Sequence, residues 1–192
     1  MKRRMKRKDA GTIFNPVMFL VLLMLSAQLL IMFVEYRRVA WLSGVVTNVM
    51  TDALLGAGTL NEYEVYHYGR TGELEILYPE EKYHIFQDIL CEELRLMPDM
   101  GVTDNSVALI KDGVKIKDFK IYSVQGSDIT VYDFDERADY TVHRMENMTG
   151  VFASENGEVI EDTALVAEIG FTVEFLGMPV EVCKYHMVDL GS

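Results

Sequence analysis

The chain has 192 residues, enough for one membrane segment and one modest domain. Its formal net charge of −12 is unevenly distributed, since eight of its eighteen Lys and Arg residues lie within residues 1–38. Residues 39–192 hold ten basic and twenty-eight acidic residues, a net charge of −18. That balance excludes nucleic acid as a partner of this part of the chain.

An uncharged run follows the basic N-terminus. From Pro16 to Val34, nineteen residues carry no charge, and only Ser26 and Gln28 are polar. At about 1.5 Å per residue, such a helix crosses a hydrocarbon core of about 30 Å. The sequence therefore predicts a transmembrane helix over residues 13–36, with membrane lipid as its first partner.

The flanking charges predict the orientation of this helix. Six Lys and Arg residues precede it, whereas Arg37 and Arg38 are the only basic residues close to its other end. The excess places residues 1–12 in the cytoplasm and everything after Tyr36 outside the cell membrane. The apolar run is too long for a secretory signal, and no A-x-A site follows it, so we expect a single-pass anchor.

The segment after the membrane continues the helical pattern. Val39, Leu42, Val46 and Val49 fall at three- and four-residue steps, which predicts a helical stalk over residues 37–62. These four residues are the candidates for association with another helix, and the small residues of "SGVVTNVMTDALLGAG" favour a close approach. The alternative is a stalk that faces solvent.

Residues 63–192 are expected to form an extracytoplasmic α+β domain, with one helix packed on an antiparallel sheet. "HYGRTGELEILYP" predicts a first strand, and "PEEKYHIFQDILCEELRLM" predicts a helix with Pro79 in its first turn. Asp112-Gly113 predicts a hairpin turn, as does Asn156-Gly157. Further strands are expected in "SDITVYDFD" and "DYTVHRM".

The clearest strand pair comes last. "TALVAEIGFTVEF" alternates apolar and other residues, "LGMP" turns the chain, and "VEVCKYHMVDL" returns. One face of this hairpin should pack on the core, with Phe171, Val173 and Phe175 among its core residues.

The arrangement resembles a known group of membrane proteins. A basic leader with Gly11, a helix ending "EYRRVAWLSGVVTNVMTDALLGAGTLNEYEVY" and the late "TALVAEIGFTVEFLGMPVEVCKYHMVDL" together resemble the TadE-like, or pseudopilin-like, proteins of Tad-type (Flp-type) pilus systems in Gram-positive bacteria. The resemblance implies partners among pilus or secretion proteins, contacted through the N-terminal helix. It also makes Gly11 a candidate leader cleavage site. Prepilins of this type carry a glutamate five residues after the cleavage glycine, where this chain has Pro16, so an uncleaved anchor is expected.

The sequence offers little catalytic chemistry. His67, His84, His143 and His186 have no metal-ligand spacing, and we expect no metal, no cofactor and no enzymatic activity. The two cysteines, Cys91 and Cys183, either form a disulfide between the helix and the last strand or remain separate buried thiols.

Two functions are consistent with these features. The first is a structural component of a pilus or secretion assembly, held in the membrane by one helix. The second is a membrane-tethered extracytoplasmic domain that binds or senses a ligand.

Overall fold

The fold is α+β, with one very long helix at its N-terminus. The computed structural model describes residues 10–107, 110–135, 137–154 and 156–191, with side chains from residue 16 onwards. In these residues, three helices precede five strands: α1 Ala10–Gly58, α2 Glu62–Thr71, α3 Pro79–Leu94, β1 Ile110–Gln125, β2 Asp128–Phe134, β3 Tyr140–Met145, β4 Ala164–Phe175 and β5 Met178–Asp189.

The five strands form one antiparallel sheet in the order β3-β2-β1-β4-β5. The second half of α1 packs on α3 and on β4 and β5, so helices cover one face of the sheet. Leu42, Phe86 and Phe119 are completely buried between these layers. A smaller apolar cluster around Ile129 and Ile160 covers part of the opposite face.

The final hairpin confirms the alternating pattern. Phe175 pairs with Met178, so Leu176 and Gly177 make a two-residue turn as predicted. Phe171 and Val173 are buried in the main core. Phe175 is half-buried and lies outside both described core clusters, because it precedes the turn at the end of the sheet.

The prediction of a strand in "HYGRTGELEILYP" was wrong. Its first half belongs to α2, and residues 73–78 form no described strand. A capping box explains the helix: Asn61 Oδ1 accepts from the Glu64 N–H, and Glu64 Oε2 accepts from the Asn61 N–H. Gly72 ends the helix in the left-handed conformation with φ of 75°.

The predicted hairpin at Asp112-Gly113 was also wrong. Both residues lie inside β1, where the pairing with β4 shifts between Ile110 and Val114. Gly113 has φ of 89°, and a Cβ there would collide with the Met100 carbonyl oxygen. Glycine is therefore required by a bulge and a close backbone approach rather than by a turn. The Asn156-Gly157 turn is present, but it closes an isolated bridge between Ala153 and Val159.

A buried ion pair joins the end of α1 to α2 and α3. Lys82 Nζ lies 2.7 Å from Glu64 Oε2 and 2.6 Å from the Thr59 carbonyl oxygen. The Lys82 and Glu64 side chains are 1% and 0% exposed. Glu64 Oε1 also accepts from the Leu77 N–H at 3.1 Å. The pair thus satisfies polar groups from three segments at a buried site.

We predict that Lys82→Met destabilises the fold by about 3–5 kcal/mol, because it leaves the Glu64 carboxylate buried without its cation. The double variant Glu64→Gln/Lys82→Met should recover a large part of that loss. Urea unfolding of the full chain in detergent micelles, followed by circular dichroism, measures both values. Lys111→Met, at the exposed pair with Glu174, is the matched control and should change little. Equal effects of Lys82→Met and Lys111→Met would contradict the assigned role of the buried pair.

Candidate membrane anchor

The first half of α1 presents an apolar surface on every side. All described side chains from residue 16 to residue 34 are exposed, including Phe19 at 65% and Phe33 at 60%. Among the described residues, α1 is the one helix long and apolar enough to cross a membrane. A core helix of a soluble domain would bury one face of such a surface, and this segment buries none.

The surface changes character over two turns. Glu35 and Arg38 form an ion pair with 3.8 Å between their closest side-chain atoms. Tyr36 and Trp41 are 64% and 61% exposed, in the positions that an interfacial aromatic belt would occupy. From Leu42 onwards α1 enters the domain core. Polar and aromatic residues therefore separate the exposed apolar segment from the packed half of the same helix.

The residues predicted to bind another helix pack on their own domain instead. Leu42 and Val46 are fully buried, Val49 is 7% exposed, and Val39 is partly buried against the same cluster. The periodic face was identified correctly, but α3 and the sheet cover it. Gly56, in the small-residue stretch, acts in the same way, since a Cβ there would meet Ile89 Cδ1 of α3. Gly44, in the same stretch, is exposed and has no neighbour within 4 Å of its Cβ position.

The remaining N-terminal predictions lie at the edge of the described region. Gly11, the candidate cleavage site, belongs to the first turn of α1 by its backbone. Most of the basic segment 1–12 precedes Ala10 and lies outside the described residues.

The two cysteines are free thiols with separate surroundings, so of the two alternatives the structure has the separate thiols, although Cys183 is exposed rather than buried. Cys91 Sγ donates to the Met97 carbonyl oxygen at 3.3 Å, and Cys183 Sγ lies 3.1 Å from Lys117 Nζ. Cys183 is exposed because its position in β5 points away from the helix layer, so helix-on-sheet packing does not bring the two together. Burial raises the pKa of the Cys91 thiol.

The four histidines lie apart. Each has a different neighbour: His67 has Glu75, His84 has Tyr83, His143 has Thr141 and His186 has Thr51. Within the described part of the chain, no group of three His, Cys, Asp or Glu side chains could hold a metal ion.

Two exposed ion pairs link strands of the sheet. Lys111 Nζ lies 2.9 Å from Glu174 Oε2, and Lys117 Nζ lies 2.6 Å from Glu181 Oε1. Hydrogen bonds from these lysines lower the pKa of Glu174 and Glu181. All four residues are solvent-accessible, so the pairs fix local charge rather than contribute much stability.

The sequence analysis missed two structural features. The first is the Glu64–Lys82 pair. The Asn61-x-x-Glu64 capping pattern could have identified Glu64 as a structural residue, but it does not show that Lys82 is its partner. The second is the turn residue Leu176, which has φ of 51°, a value unusual for leucine. The local sequence pattern does not show that this residue lies beside α1.

No family model, curated protein or solved structure matches this chain.

We predict that Leu25→Arg reduces the membrane-bound fraction of the protein. Arginine at the centre of a spanning helix costs about 2.5–3.5 kcal/mol in insertion scales. Leu55→Arg is the matched control, since Leu55 is 48% exposed on the same helix but lies in its packed half. Carbonate extraction followed by ultracentrifugation measures the bound fraction. A wild-type chain in the supernatant, or equal retention of both variants, would contradict the anchor.

We predict that the two thiols react at different rates. At pH 8 iodoacetamide should modify exposed Cys183 first, because the raised pKa of Cys91 leaves less thiolate there and burial restricts access. The rate at Cys91 should increase as the pH is raised towards its pKa. Peptide mass spectrometry of the folded chain follows both sites. A disulfide found in the unfolded, unreduced chain would overturn the assignment.

Proposed function

We propose that this protein is a single-pass, pseudopilin-like structural component of a pilus or related secretion assembly. Its α+β domain lies outside the cell membrane, and its N-terminal basic segment lies in the cytoplasm. The observation that carries the proposal is the shape of α1: one helix is apolar and exposed over residues 16–34 and forms part of the domain core from Leu42 to Gly58.

This shape supports a structural role. A sensing domain on a flexible tether can turn freely, whereas a domain built around its own membrane helix moves with that helix. Ordered stacking of subunits requires such fixed orientation of the domain relative to the anchor. The sequence resemblance to pseudopilin-like proteins points in the same direction.

The partner-binding surface of α1 should lie on the half of the helix that the chain's own domain leaves exposed. Since Leu42, Val46 and Val49 are buried by the chain's own domain, neighbouring helices would pack on the exposed membrane half of α1. Ser26 and Gln28 are the polar residues within it, and both are exposed. Polar side chains in lipid favour helix–helix contacts over lipid contacts.

The charge distribution supports the orientation. Six basic residues precede Asp9, and the part of the chain after residue 38 carries a charge of −18. Positive segments remain on the cytoplasmic side, while Asp and Glu contribute little to topology.

Native Cys183 provides the test of topology. A membrane-impermeant maleimide should label Cys183 in intact cells, because the residue is exposed on the proposed outer domain. In the control variant Cys91→Ser/Cys183→Ser/Lys6→Cys, labelling should require cell lysis. Labelling of position 6 but not of Cys183 in intact cells would reverse the orientation.

The assembly role is tested separately. Loss of the gene should reduce surface filaments or secretion, and complementation by the wild type but not by Leu25→Arg should restore them. Unchanged filaments and secretion, with Cys183 labelled normally, would reject the assembly role while leaving the anchor intact.

The tethered binding domain is the second candidate. A cleft of about 500 Å³ lies between the end of α2 and the far end of the sheet, lined by Tyr68, Leu74, Val124 and Thr163 among others. Its volume is within the range of small-molecule sites. Normal filaments together with ligand-induced thermal stabilisation of the full chain would favour this function.

A further inference from the structure

The β4–β5 hairpin lies along the packed half of α1, with its turn towards the membrane segment. Near the far end of α1, a Cβ on Gly58 would meet Leu190, the residue after β5. Midway, Thr51 Oγ1 lies 2.9 Å from His186 Nε2. At the other end, Glu35 and Arg38 share a cleft of about 80 Å³ with Leu176 and Gly177. These contacts place the turn beside the residues that follow the apolar run.

The turn and the start of β5 carry exposed apolar side chains. Leu176, Met178 and Val180 are 41%, 59% and 41% exposed. Of the three, Leu176 shares the cleft with Glu35, which is one residue beyond the last residue of the uncharged run, Val34. The domain has other exposed apolar side chains, such as Tyr66 and Val151, but those at this end of the hairpin are next to the exposed apolar surface of the helix.

The turn also carries a residue that its geometry disfavours. Leu176 and Gly177 have φ values of 51° and 78°, as in a type I′ hairpin turn. Asn-Gly is the preferred pair there, because asparagine adopts positive φ far more readily than leucine. An exposed leucine in this position gives neither favourable backbone geometry nor core packing. A role outside the domain explains it.

The charges around the turn are compatible with a lipid surface. Glu174, two residues before Leu176, is paired with Lys111, and Glu35 is paired with Arg38. Arg37 and the exposed aromatic residues Tyr36 and Trp41 lie at the same level of α1. Paired carboxylates, basic side chains and interfacial aromatics are typical of protein segments at the headgroup layer.

We propose that the β4–β5 turn is a second membrane contact, in which Leu176 and Met178 enter the interface of the bilayer that α1 spans. The occupant is the lipid surface, and the contact rests on the proposed membrane anchoring. The rigid helix and the turn together would hold the domain against the membrane in one orientation.

Depth-dependent fluorescence quenching tests the contact. The full-chain variant Trp41→Phe/Met178→Trp, reconstituted in phosphatidylethanolamine–phosphatidylglycerol vesicles, carries its one tryptophan at the turn. Lipids with a shallow spin label should quench this tryptophan at least roughly twofold more than they quench the control, as expected for an interfacial side chain. The control is Trp41→Phe/Val151→Trp, because Val151 is 70% exposed and lies at the opposite end of the sheet, next to the Gly126-Ser127 turn.

A second variant separates contact from folding. Adding Leu176→Asn should preserve the circular dichroism spectrum, since asparagine suits the positive φ, and should reduce the lipid quenching at position 178. Equal quenching of the two tryptophans, or no effect of Leu176→Asn, in chains that sediment with the vesicles would overturn the second contact alone. Chains that do not sediment with the vesicles would overturn the anchor and the contact together.

Discussion

The continuity of α1 is the constraint on which the rest of the structure depends. The helix runs unbroken from Ala10 to Gly58, and no glycine or proline lies between Pro16 and Gly44. Each residue in this stretch is fixed by backbone hydrogen bonds one turn apart, so the segment has no joint at which the domain could swivel. The two halves of the helix differ in exposure: residues 16–34 are exposed on all sides, and from Leu42 onwards one side is buried. The orientation of the domain is therefore set by the helix and not by a linker.

Two kinds of contact keep the packed half of the helix in place. Gly56 and Gly58 leave room for the side-chain ends of Ile89 in α3 and of Leu190 after β5, which a Cβ at either glycine would displace. Beyond Gly58, the buried Lys82–Glu64 pair fixes the reversal of the chain into α2 and holds the start of α3 beside it. A buried pair of this kind contributes more to a unique arrangement than to net stability, because desolvation offsets much of its Coulomb attraction.

Periodic segments were predictable, and the positions of their partners were not. The two-residue alternation of β4 and the apolar steps of α3 identified both elements, since each pattern has one physical reading over that length. The hairpin prediction at Asp112-Gly113 was wrong because the same dipeptide occurs in bulges and in hairpin turns. Here the bulge brings Gly113 against the backbone of Met100, a contact that the local sequence does not show. The helical face at Leu42, Val46 and Val49 was found, but periodicity reports that a face is buried and not which chain buries it. The sequence left a disulfide and separate thiols open for a related reason: the side of β5 on which Cys183 lies depends on the sheet register.

The position of the hairpin turn bears on how an acidic domain can remain near a bilayer. Residues after 38 carry a charge of −18, which an anionic lipid surface would repel. Screening confines this repulsion to about 8–10 Å at physiological ionic strength, so only the acidic groups nearest the lipid matter. Of the acidic groups beside the residues that follow the apolar run, Glu35 pairs with Arg38 and Glu174 pairs with Lys111. The lysine and arginine partners offset the charge of these two carboxylates, which reduces their repulsion of the lipid surface at the contact proposed for Leu176 and Met178.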